Sequence, residues 1–502
     1  MRETEWKYEA AQGALLPDLT RVPHVAQVTE PDKQVLKATY HDTEDLRLMQ
    51  AGITLRRRTG GNDEGWHLKL PDGHGARTEL RLPLERDLPA ELAGLVRAWT
   101  RGAAVGPVAR ITTKRQSRLL RDESGSTLAE VVLDDITAES LGRTTALTRW
   151  NEVEVELVEG DLHLLKSADK RLRHHGMVRS QRTAKLEHAL ADRLPAQTRT
   201  GAASAAHGVA AASSAGDVVL AYLRDQRDKL VRYDPRVRRD EPDAVHKMRV
   251  TTRRLRSALQ AFRRLFDQDQ DRVTRLGDEL KWLGETLGQA RDAEVLRGRL
   301  LTRLGQLPPE LAAGPVQARI TGHFAPREAE ARAELIRALD GERYLALLDA
   351  LDTLLDQPPL TPAASRPADK TLPKLVRKVV RRVDRRMGEA VATTPGPDRA
   401  VALHQARKAA KRARYAAEAL AEVPGKHGKK ASSTVKSMKK LQTVLGDHQD
   451  AVIASATVRE MGMIAHMSGE NGFTYGILHE REVGAMPQLQ AEAERTWARK
   501  RR

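Results

Sequence analysis

The sequence predicts an α+β multidomain protein: an antiparallel β domain, closed or nearly so, followed across a linker by an all-α domain. Three observations predict it. Apolar and charged residues alternate with period two up to about residue 190, the period becomes helical after residue 216, and one helical signature recurs at a fixed offset. At 502 residues the chain is too long for one core, since roughly 100 to 200 residues make a domain. The expected division is 1–195 for the β domain, 196–215 for the linker and 216–500 for the helical domain.

The β elements come first. The chain opens MRETEWKYEA, where Glu3, Glu5 and Lys7 share one face of a strand and Thr4 and Trp6 the other. VLKATYHD, ITLRRRT, WHLKL, RTELRLPL, RQSRLL, LAEVVLDDI and NEVEVELVE follow, separated by Gly, Asp and Pro turn signals. PAQTRTGAASAAHGVAAASSAG, rich in Ala, Gly and Ser with no apolar periodicity, reads as a flexible linker. Beyond it, AVHKMRVTTRRLRSALQAFRRLF and AVALHQARKAAKRARYAAEAL have helical spacing, with Pro-rich breaks near Pro308, Pro358 and Pro395.

The helical region repeats itself. His246, Arg249, Arg253, Arg254 and Arg256 recur 158 residues later as His404, Arg407, Lys411, Arg412 and Arg414. At the same offset Lys281, Leu283, Leu287, Gly288 and Asp292 recur as Lys439, Leu441, Leu445, Gly446 and Asp450. A constant offset predicts one helical unit duplicated about a pseudo-twofold axis, with halves near 216–357 and 370–500.

Composition narrows the function. The net charge is +17, yet residues 1–200 hold 31 basic and 30 acidic side chains, leaving 54 of the 85 basic and 38 of the 68 acidic for the rest. The excess therefore lies in the helical part and points to a polyanionic partner there. Cysteine is absent, which excludes disulfides and thiolate metal sites and fits a reducing cytosol. With no basic n-region before an apolar run and no stretch of about 18 apolar residues, the expectation is a soluble, cytoplasmic protein without a membrane partner.

Charge on the strands is sorted by face. Arg56 and Arg58 fall together, as do His67 with Lys69, Arg77 with Glu79 and Arg81, Glu130 with Asp134, and Glu152 with Glu154 and Glu156. A barrel with an apolar interior and a charged exterior satisfies the same alternation. Soluble exteriors, however, mix Thr, Ser, Gln and Lys, whereas these faces are nearly pure carboxylate or pure base. If they converge, the carboxylates suit a hard cation such as Mg²⁺ and the bases suit phosphate oxygens.

The Glu-x-Glu-x-Lys start, Tyr40-His41-Asp42-Thr43, the Leu-Arg-x-Arg segment ending at Arg58, the Trp66-to-Lys69 segment and Glu154-Val-Glu156-Leu together resemble the CYTH triphosphate tunnel domain over about residues 1–195. That resemblance implies an eight-stranded antiparallel tunnel that hydrolyses or cyclises triphosphates with Mg²⁺ or Mn²⁺. It implies metal-facing carboxylates at Glu3, Glu5, Glu154 and Glu156, helped by Asp134 and Glu130, with Lys7 beside them in the catalytic set. Phosphate-gripping bases would be Lys7, Arg56, Arg58, Lys69 and Lys185, with Arg118 and Lys114 as further candidates. Without strand register, the choice among Arg118, Lys114 and Arg115 stays open. Where the family often has Ser-Lys before the last helix, this chain has Ala184-Lys185, so a hydroxyl contact is missing while the lysine remains.

His246, Arg249, Arg253 and Arg256, spaced 0, 3, 7 and 10, form one helical stripe that is copied as His404, Arg407, Lys411 and Arg414. A solvated face is the usual meaning of such a run. Two copies at one offset, with few acidic i,i+4 partners, argue for a bound polyanion instead. HKMRVTTRRLR with LGQARDAEVL, and HQARKAAKRARYAAEAL with LGDHQDAV, resemble the CHAD domain over about residues 215–500. The resemblance implies inorganic polyphosphate bound by these eight side chains, with Lys281, Lys439, Arg382 and Arg385 as second choices and Asp292 and Asp450 orienting the bases. It also admits association with polyphosphate granules.

The expected activity is metal-dependent hydrolysis of inorganic triphosphate to pyrophosphate and phosphate, an inorganic triphosphatase, with polyphosphate held by the helices. The alternatives are a non-catalytic polyphosphate adaptor, and a triphosphatase or cyclase acting on thiamine triphosphate or ATP. Nucleic acid is a less favoured partner: its phosphates offer the same charge, but aromatic residues are only 3% of the chain and stacking platforms are scarce.

Overall fold

The computed structural model describes residues 4–71, 77–142, 145–180, 184–193, 213–266 and 270–501. The chain divides into two compact units, Met1–Ala205 and Ala206–Arg502. The expected linker lies outside the described residues up to position 212, and no described helix is long and apolar enough to cross a membrane.

The first unit contains β1 (Glu5–Ala10), β2 (Gln27–Val28), β3 (Asp32–Asp42), α1 (Arg47–Gln50), β4 (Thr54–Thr59), β5 (Gly65–Pro71) and β6 (Arg77–Leu82). It continues with α2 (Ala90–Thr100), β7 (Gly106–Arg121), β8 (Thr127–Ser140), β9 (Ala146–Leu157), α3 (Leu162–His174), β10 (Val178–Arg179) and α4 (Lys185–Ala189). All pairings are antiparallel, in the order β10-β1-β9-β8-β7-β3-β4-β5-β6, with β2 beside β7. Eight strands have six residues or more, and the two-residue β2 and β10 raise the expected count to ten. No pairing joins β6 to β10 among the described residues. Register shifts at Tyr40/His41 and Leu120/Arg121 mark bulges, which bend long strands.

Register decides which face is core. Tyr8, Val153 and Leu133 lie side by side across β1, β9 and β8, and that face packs on Leu164, Leu165, Ala168 and Leu172 of α3. Leu55, Trp66, Leu68 and Leu70 of β4 and β5 pack on Leu92, Leu95 and Val96 of α2. The apolar face is thus covered by helices. The charged face is the other one, and α4 covers part of it: Leu186 and Ala189, with Leu190, pack on Ala38, Ile111, Ile136 and Ala138.

The second unit is helical: α5 (Ala215–Arg238), α6 (Ala244–Ala261), α7 (Gln270–Gly305), α8 (Val316–Asp340), α9 (Glu342–Asp356), α10 (Ala368–Ala392), α11 (Pro397–Ala421), α12 (Lys426–Met467) and α13 (Phe473–Arg501). A capping box starts α5. The Ser214 hydroxyl accepts from the Asp217 N–H at 3.2 Å, while the Ser214 N–H donates to Asp217 Oδ2 at 3.1 Å. Adding 158 to α6, α7 and α8 gives 402–419, 428–463 and 474–498, which fall inside α11, α12 and α13. The corresponding helices α6 and α11 pack against each other.

Candidate functional site

In an antiparallel sheet, directly paired residues share a face, so the register can be followed from strand to strand. Glu5 on β1 pairs with Glu156 on β9, and Glu156 with Glu130 on β8. Lys7 pairs with Glu154, and Glu9 with Glu152, which pairs in turn with Asp134 and then Arg115 on β7. On the other side of β7, Tyr40 of β3 pairs with Arg56 of β4, and Arg56 with His67 of β5. Lys69 of β5 pairs with Glu79 of β6. One face of one sheet therefore carries carboxylates on β1, β9 and β8 and a preponderance of bases on β4, β5 and β6.

The carboxylate end is tightly paired. Lys7 Nζ lies 2.6 Å from Glu154 and 3.4 Å from Glu5. Arg115 donates to both oxygens of the fully buried Asp134, at 2.9 and 2.7 Å, and to Glu154 at 3.2 Å. Lys185, the first residue of α4, reaches Glu154 at 2.8 Å and Asp134 at 3.0 Å. Burial works against the charge on Glu154, but Lys185, Lys7 and Arg115 outweigh it and hold this carboxyl well below its usual range. Glu152 goes the other way: burial, with Glu154 beside it, pushes it up to about 7. Two carboxyls two residues apart thus differ in proton affinity through their neighbours.

At the basic end, Arg56 Nη1 donates to the Tyr40 hydroxyl at 3.4 Å, and Arg58 is paired with Asp63. The Nε atoms of Arg56 and Arg58 are buried without a hydrogen-bond partner. Burial, then neighbouring Arg56, lowers the Arg58 guanidinium below its usual range, so an anion placed there would relieve the strain between the two. Glu79 sits among His67 at 3.1 Å, Arg81 at 2.8 Å and Lys69 at 3.8 Å, and these hold it well below the carboxylate range against its burial.

In the helical unit, α6 and α11 bring like charges together. Burial, followed by Arg407, Arg253 and Arg249, pushes the Lys411 ammonium down to about 7. Arg253 is lowered by its burial and by Arg249 and Arg407. The Nε atoms of Arg253, Arg256 and Arg407 are buried without partners. Residues from both halves thus form one undercompensated positive cluster.

Residues 1–190 match the CYTH domain family, and residues 221–459 match the CHAD domain family. The chain is a CYTH–CHAD protein. It is 35% identical over 513 residues to the Mycobacterium tuberculosis protein Rv2226, covering 98% of this chain and 95% of that one. The human thiamine-triphosphatase is 34% identical over 147 residues, covering 26% of this chain and 62% of that enzyme. Among solved structures, PptA from Streptomyces chartreusis superposes with a TM-score of 0.47 at 24% identity, over 57% of this chain and 100% of that one.

In the CYTH domain, Glu5, Lys7, Glu154, Glu156, Glu130, Asp134, Arg56, Arg58 and Lys69 all occupy the charged face, and Lys185 reaches it from α4. Glu3 lies outside the described residues. The register separates the three bases: Arg115 is among the carboxylates, whereas Arg118 pairs with Val131 on the helix-covered face and exposed Lys114 pairs with Asp135. Asp134 has Arg115 and Lys185 on its oxygens, an arrangement that fixes the two bases. Glu152, Glu79 and Tyr40 went unselected by sequence reasoning, although the same period-two pattern places the first two on the charged face.

Hard oxygen donors are what Mg²⁺ and Mn²⁺ take, and the row Glu5, Glu156 and Glu130 supplies them on adjacent strands. As they stand, no three described Asp, Glu, His or Cys side chains converge on one point. The donor chemistry is of the kind a divalent cation takes, although Glu154 is itself engaged by Lys7, Lys185 and Arg115.

In the CHAD domain, Arg249, Arg253, Arg407 and Lys411 form the cluster, while His246 is exposed at the start of its stripe and half-buried His404 faces Lys408 and Arg407. Arg256 and Arg382 each lie near Arg412. Arg414 differs, since it donates to Glu418 at 3.1 Å and Gln442 at 3.3 Å, and Arg254 also binds Glu418 at 2.8 Å. Lys281, Lys439 and Arg385 are exposed, with Lys281 3.8 Å from Glu285 and Arg385 3.8 Å from Glu389. Asp292 accepts from Arg249 at 2.6 and 3.2 Å, and Asp450 favours the charge on Lys411.

Proposed function

We propose that the CYTH domain hydrolyses inorganic triphosphate with Mg²⁺ or Mn²⁺ and that the CHAD domain holds inorganic polyphosphate. The observation that carries the first part is the single charged face, carboxylates at one end and bases at the other. A phosphate chain lying across it would place oxygens on Arg56, Arg58 and Lys69 at one end, with Lys7, Lys185 and Arg115 at the other. A divalent cation held by Glu5, Glu154 and Glu156, with Glu3, would neutralise phosphate charge and present a water for attack. Asp134 keeps Arg115 and Lys185 aimed at the substrate, and Lys7 and Lys185 exchange their Glu154 contacts for phosphate ones. Glu152, with its raised proton affinity, would take the proton from the attacking water.

The apolar patch of the charged face is covered by α4, so the surface left to a guest is mainly charged and polar, which suits phosphate. The similarity to thiamine-triphosphatase favours a second reading, an organic triphosphate. Comparing kcat/KM of the full-length protein on tripolyphosphate, thiamine triphosphate and ATP separates the two. The proposal expects tripolyphosphate to be preferred; a higher value for either organic substrate replaces it.

A further inference from the structure

Two glycines inside long helices occupy equivalent places in the CHAD repeat. Gly288 of α7 and Gly446 of α12 are 158 residues apart, and mid-helix glycine disfavours a helix relative to alanine. Each lies under an arginine of the facing stripe. A Cβ at 288 would stand 2.9 Å from Arg249 Nη2, 3.3 Å from its Cζ and 3.4 Å from its Nε. A Cβ at 446 would stand 3.1 Å from Arg407 Nη2, 3.5 Å from its Nε and 3.6 Å from its Cζ. In both places the guanidinium lies flat on the bare helix surface. Gly277 and Gly298, also in α7, have nothing within 4 Å of such a Cβ.

We propose that Gly288 and Gly446 are positioning residues for the polyanion site: each is a seat that lets Arg249 or Arg407 lie against α7 or α12 and converge on one phosphate chain. Both arginines act on the same neighbours, Lys411 and Arg253, so both guanidiniums point into one cluster. The two seats are not identical. Arg249 is also held by Asp292, at 2.6 and 3.2 Å, whereas the Arg407 Nε has no hydrogen-bond partner. Arg407 therefore depends more on its glycine. The atoms a new methyl group would meet first are the far end of a flexible side chain, not backbone, so alanine displaces the guanidinium rather than the helix.

This inference rests on the polyphosphate reading, and its test separates the two. Affinity of the full-length protein for a polyphosphate of defined length would be measured by calorimetry for wild type, Gly288→Ala, Gly446→Ala, the control Gly298→Ala, Arg249→Ala and the double variant Arg249→Ala/Gly288→Ala, with thermal unfolding of each. The expected result is about tenfold weaker binding for Gly288→Ala and at least that for Gly446→Ala, the scale of one charged hydrogen bond. Gly298→Ala binds as wild type, no variant unfolds earlier, and the double variant binds no more weakly than Arg249→Ala, because the seat matters only when its arginine is present. If Gly288→Ala and Gly446→Ala bind as tightly as Gly298→Ala, or if the Gly288→Ala loss persists undiminished without Arg249, the seats are overturned while the polyphosphate reading stands. If wild type itself binds no polyphosphate, the reading and the seats fall together.

Discussion

At the scale of single residues, opposed charges and burial set the chemistry. Lys185 lies between buried Asp134 and Glu154, whose other partners are Arg115 for both and Lys7 for Glu154. Replacing Lys185 with Ala leaves buried carboxylates short of a partner, and we expect a loss of about 3 kcal/mol in the urea unfolding of the CYTH domain, together with loss of turnover. Lys411 offers a pH test. It faces Arg407 on its own helix, Arg249 and Arg253 on α6 and Asp450 on α12. Of the other helices against α11, α10 turns Arg382 toward Arg412, and α5 turns Tyr222 toward Glu418. With the ammonium pushed down to about 7, the empty site loses a proton as pH rises through neutrality. A polyanion favours the charged form, so polyphosphate affinity should fall from pH 6 to pH 9, and Lys411→Arg should flatten that profile. A flat wild-type profile would remove Lys411 from the site.

At the scale of elements, α4 is the smallest and the most exacting. Leu186 is 1% exposed and packs on the apolar part of the charged face, directly beside Lys185. Leu186→Ala should cost about 2 to 4 kcal/mol in unfolding and lower kcat on tripolyphosphate even under conditions where the domain stays folded, because Lys185 loses its mooring. An unchanged kcat would show that α4 only plugs the sheet. The strands were legible because a period of two assigns a face without any knowledge of neighbours; Glu5, Lys7, Arg56, Arg58, Lys69, Glu154 and Glu156 were placed on charged faces that way. Choosing Arg115 over Arg118 was not, since three residues of difference reverse the face and only pairing to β8 fixes which one meets Asp134. Arg414 stands apart for a different reason. Its i,i+4 partner Glu418 is visible in the sequence, but the recruitment of Arg254 and Tyr222 to the same carboxylate is a tertiary fact.

At the scale of the whole molecule, charge is divided between the units: the β part is nearly neutral, and the helical part carries almost all of the +17. Binding of polyphosphate should therefore weaken steeply with salt, its logarithm falling linearly with log salt at just under one unit per phosphate contact, and each arginine or lysine removed from the α6–α11 cluster should reduce that slope. The helical repeat was legible from the constant offset alone, and it extends through α8 and α13, where no shared residues had announced it.

The central claim is that one face of a curved sheet, with carboxylates on β1 and β9 and bases on β4 and β5, hydrolyses triphosphate. The most direct measurement is phosphate release from tripolyphosphate by the full-length protein with Mg²⁺ or Mn²⁺, beside a Glu5→Ala/Glu156→Ala variant that folds as wild type does. Metal-dependent turnover that falls by about a hundredfold or more in the variant is the predicted result. No turnover in wild type, or equal turnover in both, would contradict it.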